Sequence, residues 1–207
     1  MIFDSKISDE QLSHISRQID VTSLKATKEI LLKAERYLYK RKIKWNEMKT
    51  IGHGAYGYVY RINKNTIIKI TEDRTEIHTM VIIRNNPHKN IVKVKDAFSV
   101  RVGRWRRDFI VEELLDVSDV SWKDFANRVI FKKHISQKDL KEFSNVNNAK
   151  NFSKDQIKWI NDLALYFDKY GIRYGDLHEH NIMKRNKNHV LIDIGVAKCN
   201  KQRYMVL

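Results

Sequence analysis

The stretch GHGAYGYV, residues 52–59, carries three glycines at spacings of two and three, with Val59 two positions after the last one. Runs typical of β-strands lie on both sides, so the glycines fall in a hairpin and not between a strand and a helix. This context argues against a dinucleotide-binding βαβ unit. A glycine-rich hairpin can let backbone N–H groups approach phosphate oxygens closely, because glycine has no Cβ. Glycines at these spacings also occur in turns that bind nothing, so the rest of the chain decides.

Composition limits the class of protein. The chain has 207 residues, which is enough for one domain or for one domain with a short appendage, and its 42% of hydrophobic residues suffice for a core. A formal net charge of +15 favours an acidic partner, although a solvated lysine-rich surface has the same composition. Cys199 is the only cysteine, so the chain can form no intramolecular disulfide. With no signal-peptide profile and no apolar run of about 20 residues, the sequence predicts a cytoplasmic protein that does not enter a membrane.

Two amphipathic helices are predicted before the glycine hairpin. Ser8 and Gln11 form the pattern of a capping box, and apolar residues follow it at helical spacing. A second helix is predicted over residues 23–40, which end in a basic turn that suits a helix C-terminus. Residues 1–44 are therefore expected to form a helical N-terminal extension.

Residues 45–114 read as five short strands and one helix. The strands are expected at 45–51, 58–62 and 66–70 and in the runs NIVKVKDAFSV and DFIVEELL on either side of Gly103. Thr71 is the candidate cap of the helix, which should end near Pro87.

Residues 115–207 read as mainly helical. Ser121 is the candidate cap of one helix, and Ser153 with Gln156 predicts a capping box for a second helix that Gly171 ends. Two short strands, IMK and HVLID, are expected after the loop YGDLHEHN.

Five polar residues follow the glycine hairpin in a specific order. They are a lone lysine in a strand, a glutamate on a helix, an aspartate five positions before an asparagine, and an aspartate at the end of a strand: Lys69, Glu76, Asp176, Asn181 and Asp193. In this order the chain resembles the protein-kinase superfamily over about residues 45–198. The resemblance implies an α+β, protein-kinase-like fold of two lobes behind the helical extension. Residues 45–114 would form an N-lobe with a five-stranded antiparallel sheet and one helix, and residues 115–207 a small, mainly helical C-lobe.

The resemblance implies ATP and Mg²⁺ as cofactors and assigns the residues that would bind ATP. The hairpin glycines would cover the phosphates and Val59 would press on the adenine; the glycines are Gly52, Gly54 and Gly57. Lys69 would bind the α- and β-phosphates and pair with Glu76. Glu72, one turn earlier, is the alternative partner. The backbone of Glu112 and Leu114 would read the adenine edge, with Val111 behind them.

The remaining roles concern transfer itself. Asp176 would orient the acceptor hydroxyl and take its proton, while Asn181 and Asp193 would hold Mg²⁺. A transferring phosphoryl group spreads negative charge over its oxygens, so such a site must supply fixed positive charge. Hard Mg²⁺ prefers oxygen ligands, which a carboxylate and a carboxamide provide.

Several positions depart from the kinase pattern. Tyr174 and Gly175 stand where protein kinases commonly carry His-Arg, and Ile194 replaces the phenylalanine of Asp-Phe-Gly. His178 stands where kinases that modify Ser or Thr usually have lysine, and GDLH..N is similar to the loop of aminoglycoside and other small-molecule kinases. Only residues 194–207 follow Asp193, so the usual peptide-binding segment is expected to be missing.

The resemblance therefore implies a minimal, atypical serine/threonine protein kinase whose partner is a protein that supplies the acceptor hydroxyl. Two alternatives stay open: a small-molecule phosphotransferase, and a catalytically inactive binding module for acidic partners. The loop RVGRWRRD, residues 101–108, suits nucleic acid or an acidic protein, but an exposed hairpin turn has the same composition and is favoured. Zinc binding is not expected, because the three histidines in question lack further ligands at suitable spacing; they are His178, His180 and His189.

Overall fold

The computed structural model describes residues 8–54, 57–128, 152–174 and 177–194. They form an α+β protein of two compact units. The first unit contains the described residues 8–77 and 94–114, and the second contains the described residues of 78–93 and 115–194. Among the described helices, none is both long enough and apolar enough to cross a lipid bilayer.

The first unit begins with two helices, α1 (Asp9–Gln18) and α2 (Leu24–Lys40). The Ser8 hydroxyl accepts a hydrogen bond from the Gln11 N–H, and the Gln11 side chain accepts one from the Ser8 N–H. The predicted capping box is thus confirmed. Ser23 caps α2 in the same manner, by accepting from the Ala26 N–H.

A five-stranded antiparallel sheet forms the rest of the first unit. Its strands are β1 (Lys49–Gly54), β2 (Gly57–Asn63), β3 (Thr66–Thr71), β4 (Val94–Val102) and β5 (Trp105–Glu113). Their order across the sheet is β1-β2-β3-β5-β4, so β3 and β5 are central. Helix α3 (Arg74–Asn85) follows β3 in the chain, and the division between the two units passes through it after Ile77. The five predicted strands and their antiparallel pairing are confirmed.

One face of this sheet packs against α1 and α2. The buried side chains of this core come from both helices and from four strands: Leu12, Ile15, Ile30, Leu31, Ala34, Leu38, Tyr60, Ile62, Ile68, Ile70, Phe98, Val100, Phe109 and Val111. Full burial of a leucine or isoleucine contributes about 1.5–3 kcal/mol relative to exposure. The N-terminal helices and the sheet therefore stabilise one another as one unit.

The second unit combines helices with a small sheet. After the later turns of α3 come β6 (Asp116–Val117), α4 (Val120–Arg128), α5 (Lys154–Tyr170), a 3₁₀ turn (Glu179–Asn181), β7 (Ile182–Arg185) and β8 (Asn188–Leu191). The sheet is antiparallel in the order β6-β7-β8. Ser153 and Gln156 form the predicted capping box of α5, and Gly171 ends this helix in the left-handed conformation with φ 63°.

Several predicted element boundaries were wrong. Strand β1 begins at Lys49 and not at residue 45, because Trp45 is buried in the core instead of pairing in the sheet. Helix α4 begins at Val120, so Ser121 lies inside it and is not its cap.

Helix α3 begins at Arg74, three residues after its predicted cap Thr71. The Thr71 hydroxyl accepts from the Asp73 N–H and forms a local turn. The Asp73 carboxylate then accepts from the Thr75 N–H, which is the contact expected of a capping residue. Side chains that can bond to their own backbone compete with helix formation, which is why the spacing alone placed this start too early.

Candidate functional site

Lys69 and Glu76 form a buried ion pair. Their Nζ and Oε1 atoms are 2.6 Å apart, and the side chains are 11% and 1% exposed. Lys69 lies on the central strand β3, and Glu76 lies in the first turn of α3. Replacement of such a pair by apolar residues is often neutral or stabilising, so stability alone gives little reason for it. Buried charges held by a specific partner are therefore candidates for a functional site.

Glu72, the alternative partner of Lys69, is bound elsewhere. Its Oε1 lies 2.7 Å from the Nη2 of Arg107, and its side chain is 53% exposed. Glu72 precedes the start of α3 at Arg74, so it does not lie one helical turn below Glu76, as the spacing argument assumed. Of the two candidate glutamates, the structure brings Glu76 to Lys69.

Val59 and Ile110 flank Lys69 across the sheet. Val59 on β2 and Ile110 on β5 are its register partners. Directly opposed residues in antiparallel strands point to the same face, with Cβ atoms about 4.5–5.5 Å apart. Val59 is thus beside Lys69. This is the position that the predicted roles require, with Val59 on the adenine and Lys69 on the phosphates of one nucleotide. Val111, in contrast, lies in the core that packs on α1 and α2, so Ile110 and not Val111 is the β5 residue opposite Lys69.

The hairpin glycines differ in what surrounds them. Gly54 ends β1 and pairs with Gly57 at the start of β2, while residues 55–56 lie outside the described part of the chain. A Cβ on Gly57 would lie 2.5 Å from the Ile70 carbonyl oxygen, so the packing of β2 on β3 requires glycine there. A Cβ on Gly52 would meet no atom within 4 Å. Of Gly52 and Gly57, Gly52 is therefore the one whose presence packing does not explain.

The two residues expected to read the adenine edge lie at the end of β5. Glu112 is buried between β3 and β4, with Ile67 and Val94 as register partners. The Leu114 N–H donates to the carbonyl oxygen of Asn65 at 3.2 Å. An adenine contact through this N–H would have to replace that bond.

In the second unit, the structure brings Asn181 and Asp193 together. The Ile192 N–H donates to the Asn181 carbonyl oxygen at 2.9 Å, which places Asp193 directly beside the 3₁₀ turn that carries Asn181. Asn181 is buried, and its Nδ2 donates to the Tyr174 hydroxyl at 3.1 Å, which fixes the orientation of the carboxamide. Sequence analysis noted Tyr174 only as a departure from the kinase pattern and missed this contact, since nothing in the spacing indicates it.

Asp193 has an unusual backbone conformation, with φ 51°. A residue other than glycine in this region costs on the order of 1–3 kcal/mol, and such strain concentrates at functional sites. Aspartate tolerates the conformation better than most residues. Asp176, the predicted catalytic residue, lies outside the described residues.

The donor atoms of Asn181 and Asp193 suit a hard cation. A carboxamide oxygen and a carboxylate are the ligand types that Mg²⁺ accepts, with other positions filled by water or phosphate. In the described part of the chain, no group of three or more His, Cys, Asp and Glu side chains is arranged as a metal site. His189 is engaged with Asp119 at 3.2 Å and stacks on Trp122, with ring centroids 4.0 Å apart.

The arginine-rich hairpin between β4 and β5 is partly internal. Arg106 pairs with the buried Asp108 at 3.0 Å, and Arg107 is buried. Arg104 lies over the Trp105 ring at 4.6 Å. Arg101 and Arg104 are exposed, so the hairpin presents about half of the cationic surface that its sequence suggests.

Comparison with known proteins finds no family model that matches the chain and no curated protein that is significantly similar to it.

Proposed function

We propose that the chain is an ATP-dependent phosphotransferase of the protein-kinase type, which transfers the γ-phosphate of ATP to a serine or threonine hydroxyl of a protein. The observation that carries this proposal is the buried pair of Lys69 and Glu76 at 2.6 Å. An amine buried without a carboxylate tends to lose its proton. Glu76 keeps Lys69 cationic and fixed, as stabilisation of phosphate charge requires.

The sheet supports this role because Val59 and Gly52 are themselves register partners on the two strands of the hairpin. Val59 is also opposite Lys69. Gly52 has open space where a side chain would be. Gly52 lies two strands from Lys69, with Val59 between them, so a backbone position without a side chain and a fixed cation lie on either side of Val59. Such an arrangement leaves room for a phosphate chain.

Asn181 and Asp193 would hold Mg²⁺, which when bound supplies further positive charge to the phosphate oxygens. The hydrogen bond to the Tyr174 hydroxyl would orient the Asn181 carboxamide for this role. The left-handed backbone of Asp193 would set the direction in which its side chain leaves the backbone. Asp176 is assigned to the acceptor hydroxyl and its proton on the motif alone.

The test is a transfer assay with the full chain, γ-labelled ATP and Mg²⁺. The wild type is compared with Lys69→Met and Asp193→Asn, and with two control variants that remove surface charges of the same type. The controls are Lys33→Met, from an exposed pair with Glu29, and Asp162→Asn, from a surface pair with Lys89. We expect label on protein in the wild type and both controls, and a loss of about 10²–10³-fold in the two site variants, the range seen when one charge-stabilising group is removed.

The same assay separates the alternatives. Label on protein that persists unchanged in Lys69→Met and Asp193→Asn would refute the assignment of the site. Label found only on a small hydroxylated molecule would favour a small-molecule phosphotransferase, which the loop GDLHEHN also suits. Binding of ATP with neither transfer nor hydrolysis would favour an inactive binding module.

A further inference from the structure

All three guanidinium nitrogens of Arg107 donate hydrogen bonds within the first unit. Its Nε donates to the Ile19 carbonyl oxygen, its Nη2 to the Asp20 carbonyl oxygen and its Nη1 to the Arg106 carbonyl oxygen. The side chain is only 7% exposed. Burial lowers the pKa of Arg107, while the charges of Glu72, Asp20 and Asp108 act in the opposite direction. Arginine nevertheless stays protonated in proteins, so the group is a permanent buried cation.

One end of this network is the turn between α1 and α2. Asp20 has φ 47°, a conformation that a residue other than glycine keeps only where its surroundings hold it. The Ser16 hydroxyl donates to the Val21 carbonyl oxygen, and Thr27 donates to Ser16 at 3.1 Å. The turn is thus fixed to helices that are themselves packed on the sheet.

The other end is the segment that leads into α3. The Nη2 of Arg107 lies 2.7 Å from the Glu72 carboxylate. Glu72 follows Thr71, the last residue of β3, and α3 begins two residues later at Arg74. Glu76, the partner of Lys69, lies in the first turn of that helix. A single side chain therefore joins the N-terminal helices to the start of the helix that carries Glu76.

We propose that Arg107 is a positioning residue, which holds the start of α3 against the α1–α2 turn and so keeps Glu76 paired with Lys69. Besides their packing on the sheet, the N-terminal helices are then connected through this guanidinium group to the segment that leads to Glu76. The consequence for phosphate transfer rests on the proposed function. The effect on the Lys69–Glu76 pair does not.

Arginine is suited to this task and lysine is not. The network needs donors aimed at three carbonyl oxygens and one carboxylate, which a planar fork with five N–H groups supplies. A lysine at position 107 would keep the charge but offer a single ammonium group. Arg107→Lys thus loses the simultaneous contacts that form the bridge, while the positive charge at position 107 is kept.

The matched control is Arg61→Lys, which makes the same substitution on β2. Arg61 pairs with Glu47 through Nε at 2.7 Å and is 35% exposed. Its fork also reaches the second oxygen of Glu47, and among the described residues its side-chain hydrogen bonds go to Glu47 and not to α3 or the α1–α2 turn. A second test variant, Glu72→Gln, removes the α3 end of the bridge. Because Glu72 is half exposed, this change costs little stability.

The first measurement is the rate at which an amine-acylating reagent modifies Lys69 in the native full chain, read by mass spectrometry. We expect acylation of Lys69 to rise about tenfold in Arg107→Lys, as it would if the amine were unpaired ten times more often. Glu72→Gln should change the rate in the same direction, and Arg61→Lys should leave it at the wild-type value.

The second measurement is backbone hydrogen exchange, which reports local opening. Arg107→Lys should lose protection in residues 74–80 and keep it in β4. An equal loss in both segments would show general destabilisation and overturn the proposal. So would unchanged acylation in both test variants, or the same increase in Arg61→Lys. If Arg107→Lys fails to fold, Glu72→Gln decides.

These readouts need no catalysis, so the two proposals can fail separately. A chain that transfers no phosphate but shows the expected acylation pattern keeps the role of Arg107 and loses the proposed function. A chain that transfers phosphate while Lys69 acylation is unchanged in both variants loses the role of Arg107 alone.

Discussion

The glycines of the hairpin make a sharp prediction, because the sequence treats them alike and the structure does not. In Gly57→Ala, the new Cβ would lie 2.5 Å from the Ile70 carbonyl oxygen and 3.2 Å from the Thr71 Cα, where ordinary contacts are 3.4–4 Å. Both atoms belong to the backbone of β3, the strand that carries Lys69. The clash cannot be relieved by rotating a side chain, so β2 must move relative to β3.

The magnitude follows from the cost of overpacking. Insertion of one carbon into a packed site costs typically about 1–3 kcal/mol, and the contact with backbone places Gly57→Ala near the middle, at about 2 kcal/mol. Gly52→Ala, in contrast, should not lower the free energy of unfolding. Its Cβ meets nothing within 4 Å and its φ lies outside the left-handed region, so it should be neutral or add about 0.4–1 kcal/mol by restricting the unfolded chain.

Urea unfolding of the full chain, followed by circular dichroism, measures both values. With a slope of about 1–3 kcal/mol per molar urea, a loss of about 2 kcal/mol lowers the midpoint by roughly 1 M. Equal midpoints for the two variants, or a larger loss in Gly52→Ala, would refute the packing argument. ATP titration of the Gly52→Ala variant tests the proposed function separately. If Gly52 covers the phosphates as proposed, the variant should bind ATP more weakly without a loss of stability.

Two further predictions concern the second unit. Ser153→Ala removes the side-chain acceptor for the Gln156 N–H and should lower the free energy of unfolding in urea by about 1 kcal/mol. Ser121→Ala, inside α4, should leave the free energy of unfolding unchanged or raise it slightly. Equal losses in the two variants would contradict this assignment of caps. Burial lowers the pKa of His88, so the unfolded chain takes up its proton at a higher pH than the folded chain does. The free energy of unfolding should therefore fall as the pH drops below about 6.5, and it should fall less steeply in His88→Gln. Urea unfolding from pH 7.5 to 5 measures this dependence. An identical dependence on pH in the wild type and the variant would argue against a contribution from His88.

Local features of the fold were readable from the sequence because they depend on neighbours in the chain. The capping boxes at Ser8 and Ser153 need only a hydroxyl and an amide three positions apart, and both formed as predicted. The five strands follow from β-type runs separated by turn residues, such as Gly103 with its φ of 57°. The start of α3 was predicted too early, because the Thr71 and Asp73 side chains bond to the local backbone ahead of the helix.

The sequence by itself determined which residue types are available for the proposed phosphate site and in what order they occur. Only the tertiary structure decided which of them meet, because residues far apart in the chain become neighbours through packing. In the folded chain Lys69 pairs with Glu76 and not with Glu72, because Glu72 is paired with Arg107. Arg107 itself looked like part of a basic surface, but it is buried against a turn 87 and 88 residues away, a contact that no local pattern encodes.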